Sequence, residues 1–180
     1  HLAGRYAREA GLRNFERQLA RLMRKRARRK AAGEIGAWVM DAARVEELLG
    51  PPPHAAPDTD LAPAIGTVTG LAWTSEGGEL MTIEALLIPG RGQLTVTGQL
   101  GDVMRESVDA ALSYVRSKAR EIGIADAEFR RSDLHVHFPA GAVPKDGPSA
   151  GVAVTLAIAS ALSRRPVRRD IAMTGEVTLR

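Results

Sequence analysis

Gly141-Ala142-Val143-Pro144-Lys145-Asp146-Gly147-Pro148-Ser149-Ala150-Gly151 runs directly into the apolar stretch Val152–Ser163. Two prolines and three glycines constrain the first part as a loop. The small, apolar residues after it predict a buried helix over 149–163. Ser149 then stands at or near the helix N-cap, and Ala150 and Gly151 leave space around its hydroxyl and the neighbouring amides. Backbone N–H groups at a helix start lack intrahelical partners and carry partial positive charge. They suit an oxyanion that develops during acyl transfer. Ser149 is therefore a candidate nucleophile, although a hydroxyl needs a base to attack at neutral pH. Two other readings stand beside it: a plain serine cap, and an anion-binding loop. The latter lacks the Gly-Lys-Ser/Thr ending of a nucleotide-binding loop.

Working outward, the pattern alternates. Asp133–Phe138 reads as a short strand before the loop, and Ile171–Leu179 as a strand after the helix. Further upstream, 65–74 and 79–89 are β-rich runs separated by the turn Ser75-Glu76-Gly77-Gly78. In 92–98, Leu94 and Val96 alternate with Thr95 and Thr97, as in a half-buried strand. Over 99–123 the period becomes helical, with Leu100, Val103, Met104, Val108, Leu112, Val115, Ala119 and Ile122 in one stripe and Gly123 as the stop. Strands alternating with helices after a hairpin-rich start predict an α+β (α/β-like) domain from about residue 62.

The residues alone leave the base open. Lys145 lies four positions before Ser149, but a lysine must be desolvated to act as a base near neutrality, and beside Asp146 it reads as a surface charge. His135 and His137, two apart, share one face of a strand and fit either a Ser–His pair or a structural role. Glu84, between Ile83 and Ala85, is either a buried acid or an outward strand residue.

Towards the N-terminus, Phe15, Leu19, Leu22 and Met23 recur at helical spacing and predict an amphipathic helix over 14–30. A shorter helical stretch is expected over 35–49, ending at Gly50. The cluster Pro51-Pro52-Pro53-His54-Ala55-Ala56-Pro57-Asp58 then reads as a stiff linker and domain boundary. Residues 1–30 hold 11 Lys/Arg against 2 acids, while the remaining 150 hold 14 against 19. The basic helix either docks on nucleic acid or another acidic surface or is a solvated face. An aromatic content of 4% argues against a base-stacking platform. The absence of cysteine excludes disulfides, thiol nucleophiles and thiolate-held metals. Val152–Leu162, the longest apolar run, is too short to cross a bilayer, so no membrane partner is expected. The chain opens on His1 without a signal peptide and stops at Arg180 after a β-like run, so it reads as a fragment.

Pro144-Lys145-Asp146-Gly147-Pro148-Ser149-Ala150-Gly151 resembles the active-site signature of the Lon proteases, ATP-dependent serine endopeptidases. The likeness extends, in order, over nearly the whole chain. Residues Tyr6–Arg13 resemble the start of the last helix of the Lon ATPase module, and Gly70–Thr74 with Thr82-Ile83-Glu84 resemble the opening strands of its protease domain. Thr97–Ser107 and Ala172-Met173-Thr174-Gly175-Glu176 also look like Lon segments. The linker 51–60 is the loosest part of the match.

This resemblance implies a Lon-type protease domain over 62–180, truncated before its C-terminal part. It is preceded by a linker over 51–61 and a helical segment of the AAA+ small domain over 1–50. Ser149 matches the nucleophile of a Ser–Lys dyad that uses no catalytic histidine. The dyad lysine is implied beyond Arg180, so this chain alone is expected to be inactive. Thr174 matches a threonine that orients that lysine. Asp146, His137 and Glu84 match residues lining the site, Asp146 at a position that blocks the dyad in some inactive forms. Arg13 matches a nucleotide-sensing arginine. ATP and Mg²⁺ are implied for the intact protein, with the nucleotide-binding loop upstream of this chain and no cofactor in the protease domain. Unfolded, damaged and regulatory proteins are the implied substrates, a homohexamer the implied assembly, DNA a further partner of some members, and the bacterial cytoplasm the implied setting, with mitochondrial or peroxisomal forms sharing the motifs.

Overall fold

The computed structural model describes residues 1–54, 62–74, 77–139 and 145–180. The Ser75-Glu76 half of the expected turn, the linker from residue 55 and the loop residues 140–144 lie outside the described residues. Contacts divide the chain into two compact units, His1–Asp58 with Thr74–Gly77, and Thr59–Trp73 with Gly78–Arg180.

The first unit is helical. Helix α1 spans Leu2–Tyr6, α2 spans Arg13–Ala31 and α3 spans Ala42–Leu49. Neither α1 nor α2 has a side-chain cap of its own, but Glu9 Oε1, in the intervening turn, accepts the Asn14 and Phe15 N–H groups at the start of α2, at 2.5 and 2.9 Å. Asp41 caps α3 by accepting the Arg44 N–H at 2.8 Å. The core is small: Tyr6, Leu22, Val45 and Leu48. Leu19 and Met23, expected on the buried stripe of α2, are 46% and 61% exposed, because so short a unit covers only the arc around Leu22. The expected helix over 35–49 begins only at Ala42, since Gly33 and Gly36 have φ of 94° and 126° and break the turn before it.

The second unit is two-layered. Its strands are β1 (Thr67–Thr74), β2 (Gly77–Pro89), β3 (Leu94–Thr97), β4 (Ser132–His137) and β5 (Ala172–Met173). They form one mixed sheet in the order β3-β4-β2-β1-β5. β4 is antiparallel to β2 and parallel to β3, and β5 runs parallel to β1. Helices α4 (Asp102–Ser117) and α6 (Gly151–Ser163) pack against one face, and a short α5 (Glu128–Arg131), not expected from the sequence, precedes β4. Strand alternation sends Val68, Met81, Ile83, Leu134 and Val136 inward, where they join Met104, Val108, Val115, Val154 and Ile158 of α4 and α6. The α+β prediction holds, and the sequence of elements matches it.

Two expected elements are shorter than predicted. The helix over 99–123 ends at Ser117, and residues 118–123 continue as turns closed by Ala119 N–H to Arg116 O and Gly123 N–H to Arg120 O. Ala119 and Ile122 still pack on the core, so the apolar stripe outlasts the helix that it predicts. The strand expected over 171–179 is limited to Ala172–Met173. Beyond it the chain leaves β1, and the Gly175 N–H and carbonyl pair with Ser149 O and Val152 N–H instead.

Candidate active site

Ser149 does not cap the helix. It lies in a 3-10 turn, Pro148–Ala150, and α6 begins at Gly151 with Ala150 at its N-cap and no side-chain cap bond. The Ser149 side chain is exposed, and its hydroxyl makes no hydrogen bond among the described residues. Pro148 at the start of the turn has no N–H to lose there, and Gly147, with φ of 124°, supplies the backbone direction that lets the loop enter it.

The turn is clamped by the segment after β5. Gly175 N–H donates to Ser149 O at 2.7 Å, Thr174 Oγ1 donates to the same carbonyl at 3.3 Å, and Val152 N–H donates to Gly175 O at 3.0 Å. Two polar backbone groups at the start of α6 are thereby satisfied by that segment. The close approach needs Gly151: a Cβ there would stand 2.7 Å from Val177 N and 3.1 Å from Ser107 Oγ. Val152 N–H is thus spoken for, and an oxyanion would have to use amides earlier in the turn. Val152, Leu156, Met173 and Val177 line an open groove of about 670 Å³ beside the turn.

Asp146 has a structural job. Its Oδ1 accepts Met104 N–H at 3.0 Å and Gly147 N–H at 2.9 Å, so it caps α4 from 42 residues away. The adjoining backbone is paired too, with Gly101 N–H to Lys145 O at 2.8 Å and Lys145 N–H to Gln99 O at 3.2 Å. Lys145 is half-buried rather than the surface charge expected, and burial pulls its ammonium below the ordinary lysine value.

Glu84 and His137 face each other across β2 and β4. Glu84 is exposed, which settles its two readings in favour of the outward one. His135 and His137 share the outward face, as their spacing predicts, and both ring systems contact Thr97 Oγ1. Among the described residues no hydrogen bond joins Glu84 or His137 to Ser149, so the candidate residues fall into two groups: Ser149 with Thr174, and Glu84 with His137. Arg13, exposed, opens α2 in the other unit. Sequence reading missed Thr97 and the Gly151–Val177 approach. The only signal for the latter was the run of small residues after Ser149, and for Thr97 only its place in the alternation of β3.

Residues 39–180 match the family model of the Lon protease (S16) C-terminal proteolytic domain, and residues 1–37 match that of the Lon protease AAA+ ATPase lid domain. The chain is 54% identical over 174 residues to the Lon protease of Desulfovibrio desulfuricans, covering 97% of this chain and 20% of that protein. It is 52% identical over 179 residues to Lon protease 2 of Bdellovibrio bacteriovorus, covering 99% and 22%. It is 53% identical over 175 residues to the Lon protease of Aquifex aeolicus, covering 97% and 22%. The chain therefore spans about a fifth of the length of these relatives.

Proposed function

Because this chain belongs to the Lon protease family, we propose that it carries the nucleophile of an ATP-dependent serine endopeptidase, Ser149. The observation that carries this reading is the exposed, unbonded Ser149 hydroxyl on a turn whose own carbonyl is held rigid by Thr174 and Gly175. Ser149 Oγ attacks a peptide carbonyl carbon, its proton passes to the base, the amine leaves, and water releases the acyl group from the serine. Backbone amides of the turn receive the charge that builds on the carbonyl oxygen. The base is a lysine following the Thr174-Gly175-Glu176 segment, outside these 180 residues, and Thr174 orients it. A closed, apolar site around such a lysine would disfavour its ammonium form and so favour the free amine. Asp146, His137 and Glu84 line or control the site.

Residues 1–50 act as part of the AAA+ small domain, 51–61 as a linker and 62–180 as the proteolytic domain. In the intact protein, a homohexamer, ATP hydrolysis unfolds damaged, misfolded and regulatory proteins and delivers them to the serine sites in the bacterial cytoplasm. The bacterial relatives support that setting. No three His, Cys, Asp or Glu gather to hold a metal ion among the described residues. ATP and Mg²⁺ would supply the energy for unfolding, with Arg13 the side chain here that senses the nucleotide.

A fluorogenic-peptide assay tests the nucleophile. The 180-residue chain should give no turnover, and in the longer parent protein Ser149→Ala should lower kcat by about 10³-fold or more. Parent turnover that survives Ser149→Ala would overturn the reading. Turnover by the 180-residue chain that Ser149→Ala abolishes would overturn the external lysine alone.

One feature favours DNA as a second partner. Arg13, Arg17, Arg21, Arg24 and Arg28 are exposed, and at about 100° per residue they fall on one stripe of α2. None of the five pairs with an acid among the described residues. Such a stripe suits a row of phosphates.

A further inference from the structure

Thr97 Oγ1 stands 2.9 Å from His135 Nε2 and 2.7 Å from His137 Nδ1. The arrangement follows from the sheet: Thr97 is in register with His137 on β4, and His135 lies two residues back on the same face. The rings meet edge to face, with centroids 6.3 Å apart. Glu84 faces His137 from β2. Asp133, the other acid on that face of β4, already accepts the Arg91 and Gln93 N–H groups.

A threonine hydroxyl has one proton, and a neutral imidazole has one N–H and one bare nitrogen. If Thr97 donates to His137 Nδ1, His137 keeps its proton on Nε2, and His135 must donate its own Nε2–H to Thr97. If Thr97 donates to His135 Nε2, His135 carries its proton on Nδ1, and His137 donates Nδ1–H. Both rings then hold the same tautomer in either state. With both bare nitrogens aimed at Oγ1, one of them goes without a donor. With both N–H groups aimed at it, the hydroxyl proton has no acceptor among the described residues.

We propose that Thr97 is a positioning residue whose hydroxyl locks His135 and His137 into one shared tautomer and passes a proton between them. The balance is complete. A proton joins His135 at Nδ1, the Nε2 proton of His135 moves to Thr97 Oγ1, the hydroxyl proton moves to His137 Nδ1, and His137 releases its Nε2 proton. Each ring and the hydroxyl end with the number of protons they started with, and both rings have switched tautomer. The functional meaning rests on the reading above that His137 lines the peptidase site, where the relay would end.

Nitrogen-15 NMR of the histidine rings in the 180-residue chain, at a pH above the imidazole range, tests the coupling. The two rings should report the same tautomer. His135→Phe should shift the ring nitrogens of His137, the same substitution in a Thr97→Val background should leave them unmoved, and Thr97→Ser should restore the response. Opposite tautomers in the unsubstituted chain would overturn the proposal even if Thr97→Val failed to fold. A response of His137 that is equal in the Thr97→Val background would overturn it as well. These spectra do not involve Ser149, so loss of the peptidase reading in the Ser149→Ala assay would leave the coupling standing.

Discussion

Asp133 accepts backbone N–H bonds from Gln93 and Arg91, the strongest causes that hold its carboxyl below the usual aspartate value. The neighbouring Gly90 is required by the same contact, since a Cβ there would stand 2.1 Å from the carboxyl carbon. A carboxyl whose pKa is lowered by folding stabilises the fold above its unfolded pKa, and that stabilisation is lost as pH falls through the folded value. The stability advantage of the native chain over Asp133→Asn should therefore be full above the ordinary aspartate pKa of about 3.9 and shrink on further acidification. Urea unfolding at a series of pH values reads this directly; an advantage that grows on acidification would contradict it. At the same scale, Asp146 shows how a loop side chain can serve a helix distant in sequence. It caps α4 while sitting three residues from Ser149.

At the scale of elements, α6 is the piece on which the second unit closes. Ala153, Val154, Ala157, Ile158, Ala161 and Leu162 are all buried on one side of the helix, while Val152 and Leu156 on the other side line the open groove. Ser160, on the same helix, is 3% exposed. Its hydroxyl accepts the Gly66 N–H at 2.9 Å and donates to Arg165 O at 2.5 Å, tying the approach to β1 to the end of α6. Ser160→Ala leaves the Gly66 N–H buried without a partner and should cost about 1–3 kcal/mol. Chemical denaturation with an unchanged slope and a lower midpoint would bear this out. No change in midpoint would show that the network contributes nothing net.

At the scale of the whole molecule, charge is segregated. The basic residues of 1–30 concentrate on α2, and only some are engaged: Arg29 pairs with Glu47 at 2.7 Å, and Arg26 stands over the Trp38 ring. The stripe of five arginines faces away from Leu22. If it binds duplex DNA, replacing Arg17, Arg21, Arg24 and Arg28 by alanine should flatten the plot of log affinity against log salt. The slope should fall by about 0.9 for each phosphate that is no longer neutralised. Fluorescence anisotropy over a salt series measures that slope. Binding whose slope is the same after the four substitutions would exclude the stripe as the DNA site.

Much of this was legible in the residues alone. Period-2 and period-3.6 patterns located β3, α2 and α4, because one-sided burial writes its period into the chain, and β-rich or small apolar runs located β1, β2, β4 and α6. The odd composition of 144–151 carried the family. The sequence misjudged the ends of elements, where the decision is tertiary. The segment after Met173 is expected to continue as a strand, yet the backbone N–H and carbonyl of Gly175 find partners on Ser149 and Val152 rather than on β1. Ser149 follows a loop and precedes a helix, as an N-cap does, yet the 3-10 turn takes its backbone and leaves its hydroxyl free. Thr97 looked like one polar residue in an alternating strand, and only the pairing of β3 with β4 set its hydroxyl between two imidazoles. Local periodicity follows from which side of an element meets water. Which hydrogen-bond donor meets which acceptor across 25 or 40 residues depends on how the layers pack, and no local pattern encodes that.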